Sequence, residues 1–147
     1  MQKISRQNSD TLKTYLKLMR ASDKIAGECH RHLIAYQLTS SQFAVLEALH
    51  HLGPLCQKEI GEKLLKSRGN ITTVINNLEK RRLVNRRNDR KDKRFYSVEL
   101  TLTGKQLIEE IFPQHVAGVI RSLNPLTPAE QYELARLCRK LGLSCSG

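Results

Sequence analysis

Apolar positions recur at helical spacing over most of this chain and switch to a two-residue alternation in one short region. Between Asp10 and Gln37, the residues Leu12, Leu16, Met19, Ile25 and Leu33 return at roughly helical intervals with no proline between them. That pattern predicts one long helix, with Gly27 as its weak point. A helix of this length in a small protein usually packs on another, from the same chain or from a second one. Thr39 and Gln42 form a T-x-x-Q capping box. It opens a second helix with Phe43, Leu46 and Leu49 inward, stopped by Gly53 and Pro54. Leu55 and Cys56 read as a short extended piece, and Gln57 to Leu65 as a short helix carrying Ile60, Leu64 and Leu65.

Ser67 is a suitable N-cap for the next helix. Ile71, Val74, Ile75 and Leu78 fall at i, i+3, i+4 and i+7, one buried stripe. The opposite face holds Gly69, Thr72, Thr73, Asn76, Asn77 and Lys80. It is small and uncharged near its start, whereas a helix meant only to be soluble more often shows Glu and Lys there. The alternation follows. Leu83 to Asn88 and Arg94 to Leu100 predict two strands, the second with Phe95, Ser97 and Glu99 on one face and Tyr96, Val98 and Leu100 on the other. Asn88 to Lys93 is the turn between them. Thr103 and Gln106 form a second T-x-x-Q box opening a helix to about Leu123, kinked at Pro113 and broken by Asn124 and Pro125. Thr127 and Glu130 form a third box, with Pro128 at the first helical position. The last helix is expected to reach Leu141 and stop at Gly142.

Helix, helix, helix and hairpin between long terminal helices is a mostly α fold with a minor β part. Two short helices at a tight turn, the second with a polar outer face, describe a helix-turn-helix, and the hairpin after it makes this a winged helix-turn-helix. Charge sharpens that picture. The chain carries 25 Lys and Arg against 14 Asp and Glu, a net +11. From Lys66 to Tyr96 eleven basic residues face three acidic ones, a net +8 in about a fifth of the chain. Concentrated positive charge of this kind suits a polyanionic partner. The major groove of duplex DNA admits a helix, and base edges there offer distinct donors and acceptors. An Asn amide can pair with adenine, and a Thr methyl can touch a thymine methyl. On the residues alone, Ser67, Arg68, Asn70, Thr72, Thr73 and Asn76 would address the major groove. Arg86, Arg90, Lys91, Lys93 and Arg94 would serve the wing, reaching phosphates or the neighbouring minor groove. Asp89 and Asp92 oppose that role, and are expected to pair internally with Arg94 or Arg86.

The run from Asp89 to Arg94 is similar to the wing signature D-x-R-D-x-R of the MarR family of bacterial regulators, with Lys91 at the first arginine. Leu78 to Arg86 (LEKRRLVNR) resembles that family's L-E-x-x-G-L-[VI]-x-R, and LTLTGKQL resembles its L-T-x-x-G segment. The resemblance covers about Leu38 to Leu141. It implies a homodimer built on the terminal helices, residues 1–37 with 103–147, and a winged helix-turn-helix DNA-binding domain over 38–102. It also implies a pseudo-palindromic operator, repression as the usual outcome, and a small anionic or phenolic effector bound between the two regions. Arg94 would be the wing-base arginine paired to Asp89, with Arg90 and Lys91 at the wing tip. Arg82 stands where the family usually has the glycine that ends the recognition helix. Lys91 for arginine keeps the charge but loses the planar fork.

Other chemistries are poorly served. There is no G-x-S-x-G, no glycine-rich phosphate loop and no carboxylate cluster, so an enzyme is not expected. No cofactor is called for. Cys29, His30, His32, His50, His51 and Cys56 match no strong metal spacing, although His30, His32 and His50 are candidates to flank an effector pocket. Two alternatives are a redox-sensing regulator of the same fold using Cys29 and a basic RNA-binding module. The second sits poorly with an aromatic content of 5%. No apolar run approaches the ~20 residues that span a bilayer, and the first residues lack the apolar core of a signal peptide, so a cytoplasmic protein without membrane contact is expected.

Overall fold

The computed structural model describes residues 6–64, 68–88 and 96–144. Its elements in order are α1 (Arg6–His30), a 3-10 turn (Arg31–Tyr36), α2 (Ser40–Leu52), β1 (Leu55–Cys56), α3 (Gln57–Leu64), α4 (Arg68–Lys80), β2 (Val84–Asn88), β3 (Tyr96–Leu100), α5 (Leu102–Leu123) and α6 (Pro128–Ser144). The chain folds as two compact units: residues 30–115 in one, and residues 1–29 with 116–147 in the other.

The unit of residues 30–115 owns a hydrophobic core built from the stripes predicted on α2, α3 and α4, whereas Leu12, Leu16 and Met19 of the first predicted stripe stay outside it. Phe43, Leu46 and Leu49 of α2, Ile60 of α3, and Ile71, Val74, Ile75 and Leu78 of α4 are buried. Val84 and Val98 join them from the sheet, with Ile108 and Ile111 from α5. The three strands are antiparallel in the order β1-β3-β2, with Leu55 and Arg86 both opposite Val98. Tyr96, expected on the same face as Val98, is 53% exposed. It pairs with Asn88 at the end of the strands away from the pairing of Val84 with Leu100.

The expected single helix over 10–37 is instead α1 followed by the 3-10 turn. That turn ends at Gln37 in the left-handed region, φ 53°, with Gln37 N–H donating to Ile34 and Leu38 N–H to Leu33. Leu33 and Leu38 are buried, so burial of the pair holds the reversal that no glycine or proline announces. α2 then opens on the expected capping box of Thr39 and Gln42. At α3, the Cys56 N–H donates to Glu59 Oε2 at 2.7 Å, and this bond holds the Glu59 carboxyl below its usual range.

α5 is capped by Thr101 rather than Thr103: the Gly104 N–H donates to Thr101 Oγ1 at 3.0 Å. Thr101 also donates its hydroxyl to the Arg82 carbonyl (2.7 Å) and its N–H to the Leu83 carbonyl (3.1 Å). That knot brings α5 against the backbone of Leu83 at Gly104. A Cβ on residue 104 would overlap the Leu83 carbonyl oxygen and lie 2.9 Å from its carbon. The glycine of the L-T-x-x-G segment is thus a packing requirement.

Near both ends of this unit, three histidines and Phe43 gather. The His115 ring lies 6.0 Å from His30, 5.7 Å from His32 and 4.6 Å from Phe43. Burial, then the neighbouring His115, lowers the His30 pKa, with Glu47 opposing. Among the described residues no three His, Cys, Asp or Glu side chains form a metal-ion group.

In the second unit, α6 opens on the box of Thr127 and Glu130. Gln131 Nε2 closes the preceding turn onto the carbonyls of Leu123 and Leu126. α6 does not stop at Gly142 but runs on to Ser144, since a helical glycine costs only about 1 kcal/mol. Cys29 is buried, its Sγ 3.7 Å from Ser122 Oγ. Large apolar side chains stay exposed on α1 (Leu12, Tyr15, Leu16, Met19) and on α6 (Tyr132, Leu137, Leu141). Ala21, Ile25, Leu126, Leu134 and Leu137 line an open groove of about 490 Å³. No helix among the described residues is long and apolar enough to cross a membrane.

Gly104→Ala should destabilise the chain by about 3 kcal/mol or more, because the clash is with backbone that cannot swing aside; the urea midpoint reports it. For His30, the folded state disfavours the proton, so its pKa lies below the ordinary histidine value of about 6.5. Stability is therefore full above that value and falls as pH drops through it, the unfolded chain taking up the proton first. Melting temperatures measured at about pH 7.5 and 5.5 should differ less in His30→Asn than in the parent.

Candidate nucleic-acid interface

α3 and α4 form the helix-turn-helix, joined across their faces by a hydrogen bond from Gln57 Nε2 to Thr72 Oγ1. Ile71, Val74, Ile75 and Leu78 hold one side of α4 in the core. Asn70, Thr73, Asn76, Asn77 and Lys80 are exposed, whereas Thr72 is half-buried under its bond to Gln57. Asn77, on the polar face but not among the expected base readers, stands as open as Asn76.

α4 ends in a left-handed turn. The Arg82 N–H donates to Glu79 and the Leu83 N–H to Leu78, at 2.9 and 3.0 Å, and Arg82 has φ 56°. This is the paired-bond ending that normally takes glycine at the left-handed position. Arg81, next to it, is exposed but folded back onto the chain. Its guanidinium donates to the carbonyls of Gln37 (2.8 Å) and Tyr36 (3.0 Å), tying the end of α4 to the other left-handed turn.

The sheet supplies a second set of ties. Arg86, on β2, donates through Nη1 to Glu79 Oε2 at 2.5 Å and through Nη2 to Asn76 Oδ1 at 2.6 Å. Its side chain is 23% exposed. Among the described residues, the carboxylate that Arg86 meets is Glu79 of α4. Arg87, on the same strand, pairs with Glu99 of β3 at 2.6 Å and is 69% exposed. Ser67, Asp89, Arg90, Lys91, Asp92, Lys93 and Arg94 lie outside the described residues, so the expected Asp89–Arg94 pair does too. Arg68 is the first residue of α4.

A polar helix set on a helix-turn-helix, with a basic hairpin behind it, is also the arrangement of known proteins. The MarR family model matches residues 38–95. The HTH-type transcriptional regulator MhqR of Bacillus subtilis is 31% identical over 91% of this chain and 92% of its own length. The chain belongs to the MarR family. Among solved structures, BpsR of Bordetella bronchiseptica, whose DNA binding is regulated by 6-hydroxynicotinic acid, is 28% identical. It aligns over 85% of this chain and 89% of its own with a TM-score of 0.79. AbsC of Streptomyces coelicolor, 20% identical, shares the fold over 100% of this chain and 99% of its own at a TM-score of 0.86.

As a MarR-family protein the chain is a transcriptional regulator with a winged helix-turn-helix, and not an enzyme. The motifs that carry the family likeness have structural work at this site: Glu79 and Arg86 of the L-E…R segment bond each other, and Gly104 of L-T-x-x-G packs on Leu83. Arg82 adopts the left-handed conformation that the family's glycine would take more easily. A non-glycine residue there costs about 1–2 kcal/mol, part of which glycine gives back as chain entropy. Arg82→Gly is therefore expected to match or exceed the parent by up to about 1 kcal/mol. Arg82→Val should be the less stable of the two substitutions in denaturant titrations, since a β-branched residue tolerates this region least.

Proposed function

We propose that this chain is a sequence-specific double-stranded DNA-binding repressor, acting as a homodimer on a pseudo-palindromic operator and released by a small anionic or phenolic ligand. The observation that carries the DNA reading is the outward face of α4. Asn70, Thr73, Asn76, Asn77 and Lys80 are exposed on the second helix of a helix-turn-helix, on a chain of net charge +11. Ser67, Arg68 and Thr72 are taken as further base readers on the sequence alone, and Arg90, Lys91, Lys93 and Arg94 would give the wing phosphate-directed charge.

The dimer reading is supported by the apolar side chains exposed on α1 and α6. Leu12, Tyr15, Leu16 and Met19, with Tyr132, Leu137 and Leu141, are large apolar side chains left exposed on these two helices, and such exposure marks surfaces that a partner covers. Residues 1–37 with 103–147 would then dimerise and residues 38–102 bind DNA. Release by a ligand is supported by BpsR, where a hydroxylated aromatic acid regulates DNA binding. A redox mechanism through Cys29 is not favoured, because that side chain is 4% exposed and reactive thiols need access. An RNA-binding module is not favoured either, given the family.

Fluorescence anisotropy on duplex DNA from upstream of the protein's own gene, against random duplex over a salt series, tests the reading. Asn76→Ala should cost ~1–3 kcal/mol on the cognate duplex and little on random DNA. Lys91→Ala should weaken both about equally and reduce the salt slope. Equal loss on both duplexes for Asn76→Ala would remove Asn76 from base reading.

A further inference from the structure

The contact between Arg86 and Asn76 limits what Asn76 can say to a base. A free Asn amide offers an acceptor and a donor side by side, which is why it pairs well with the N7 and N6 edge of adenine. Here the amide oxygen is already engaged, 2.6 Å from Arg86 Nη2. A guanidinium has donors only. Turning the amide over would set its NH2 against that cation, donor to donor. Nor is Arg86 at liberty to follow: Glu79 Oε2 accepts from its other terminal nitrogen at 2.5 Å, a charge-assisted bond, and the side chain is only 23% exposed. The assignment of oxygen and nitrogen on Asn76 thus follows from the chemistry of its neighbour.

We infer that Arg86 is a positioning residue that presents Asn76 to the base chiefly through its NH2, favouring guanine over adenine at the base it faces. Guanine presents N7 and O6 as adjacent acceptors, and the outward NH2 of Asn76 carries two hydrogens to meet them. Adenine needs an acceptor for its N6 amino group; Arg86 holds one of the two lone pairs of that oxygen, and its cation beside the oxygen weakens the bond a second donor could make there. Arg86, expected to serve the wing, therefore acts through α4. It contributes to specificity without touching DNA. This inference rests on the reading of α4 as the helix in the major groove.

The test is selection of duplexes from a randomised pool by the full chain, the parent compared with Asn76→Ala, Arg86→Met and Arg86→Lys. The base pair whose preference disappears in Asn76→Ala is the one Asn76 reads. The parent should favour G·C there by roughly tenfold or more. Arg86→Met should lose that preference or move it toward A·T. Arg86→Lys, which keeps a donor for the amide oxygen, should retain part of it. A purely structural role for Arg86 would lower affinity for every sequence alike and leave the chosen base unchanged, which overturns the inference. So does a parent that selects A·T at that position, a result that needs no Arg86 variant to fold. If the parent enriches a sequence but Asn76→Ala alters no position, the inference fails while α4 still reads through its other residues. If the parent enriches nothing, the reading of α4 fails and takes this inference with it.

Discussion

Two consecutive carbonyls, those of Arg82 and Leu83, accept the bonds on which the winged helix-turn-helix depends. Thr101 donates its hydroxyl to the first and its N–H to the second, and the same hydroxyl caps α5 through Gly104. The left-handed turn at Arg82 presents both carbonyls. Without it, Leu83 would not follow α4 into the core and Val84 would not start the strand paired to Leu100. One turn therefore sets the end of α4, the start of the hairpin and the start of α5. That explains why residue 104 has no room for a methyl group. It also explains why a non-glycine residue persists at 82: the bonds on either side over-determine a conformation that costs about 1–2 kcal/mol.

Much of this arrangement was legible beforehand because the local signals agree with the global ones. The stripe of Ile71, Val74, Ile75 and Leu78 needed only spacing to be read, and burial follows it. The boxes at Thr39 and Thr127 sit where capping chemistry requires. What the sequence concealed are features made by residues distant from one another. Gln37 and Arg82 are the non-glycine residues with positive φ among those described, and no residue type marks them as turns. Their conformation is held by Leu33 and Leu38 in the core and by an arginine 44 residues further on. The alternative caps Thr101 and Thr103 are equal by local chemistry, and only the carbonyls of residues 82 and 83 decide between them.

The candidate site divides along the same line. That α4 carries a polar face could be read from a list of residues. Which polar groups look outward could not, because Thr72 and Asn76 are engaged by Gln57 and Arg86 from other elements. Charge density is misleading for a related reason. Of the basic residues between Lys66 and Tyr96, Arg81 serves two backbone carbonyls, Arg86 serves Glu79 and Asn76, and Arg87 pairs with Glu99.

Those three arginines separate two uses of positive charge. An arginine held on carbonyls or a part-buried carboxylate fixes geometry, and releases few counterions when DNA arrives because its field is already met locally. The exposed Arg87–Glu99 pair is intermediate, since a surface ion pair in water holds by no more than about 1 kcal/mol and exchanges readily for a phosphate. The salt dependence of DNA binding should accordingly reflect fewer cations than the net +8 of the basic run suggests. Geometry and affinity are assigned to different arginines of one short segment, so a substitution at Arg81 or Arg86 and one at the wing should differ in kind. The first would change the shape in which α4 is presented; the second would change only how strongly the backbone of the DNA is held.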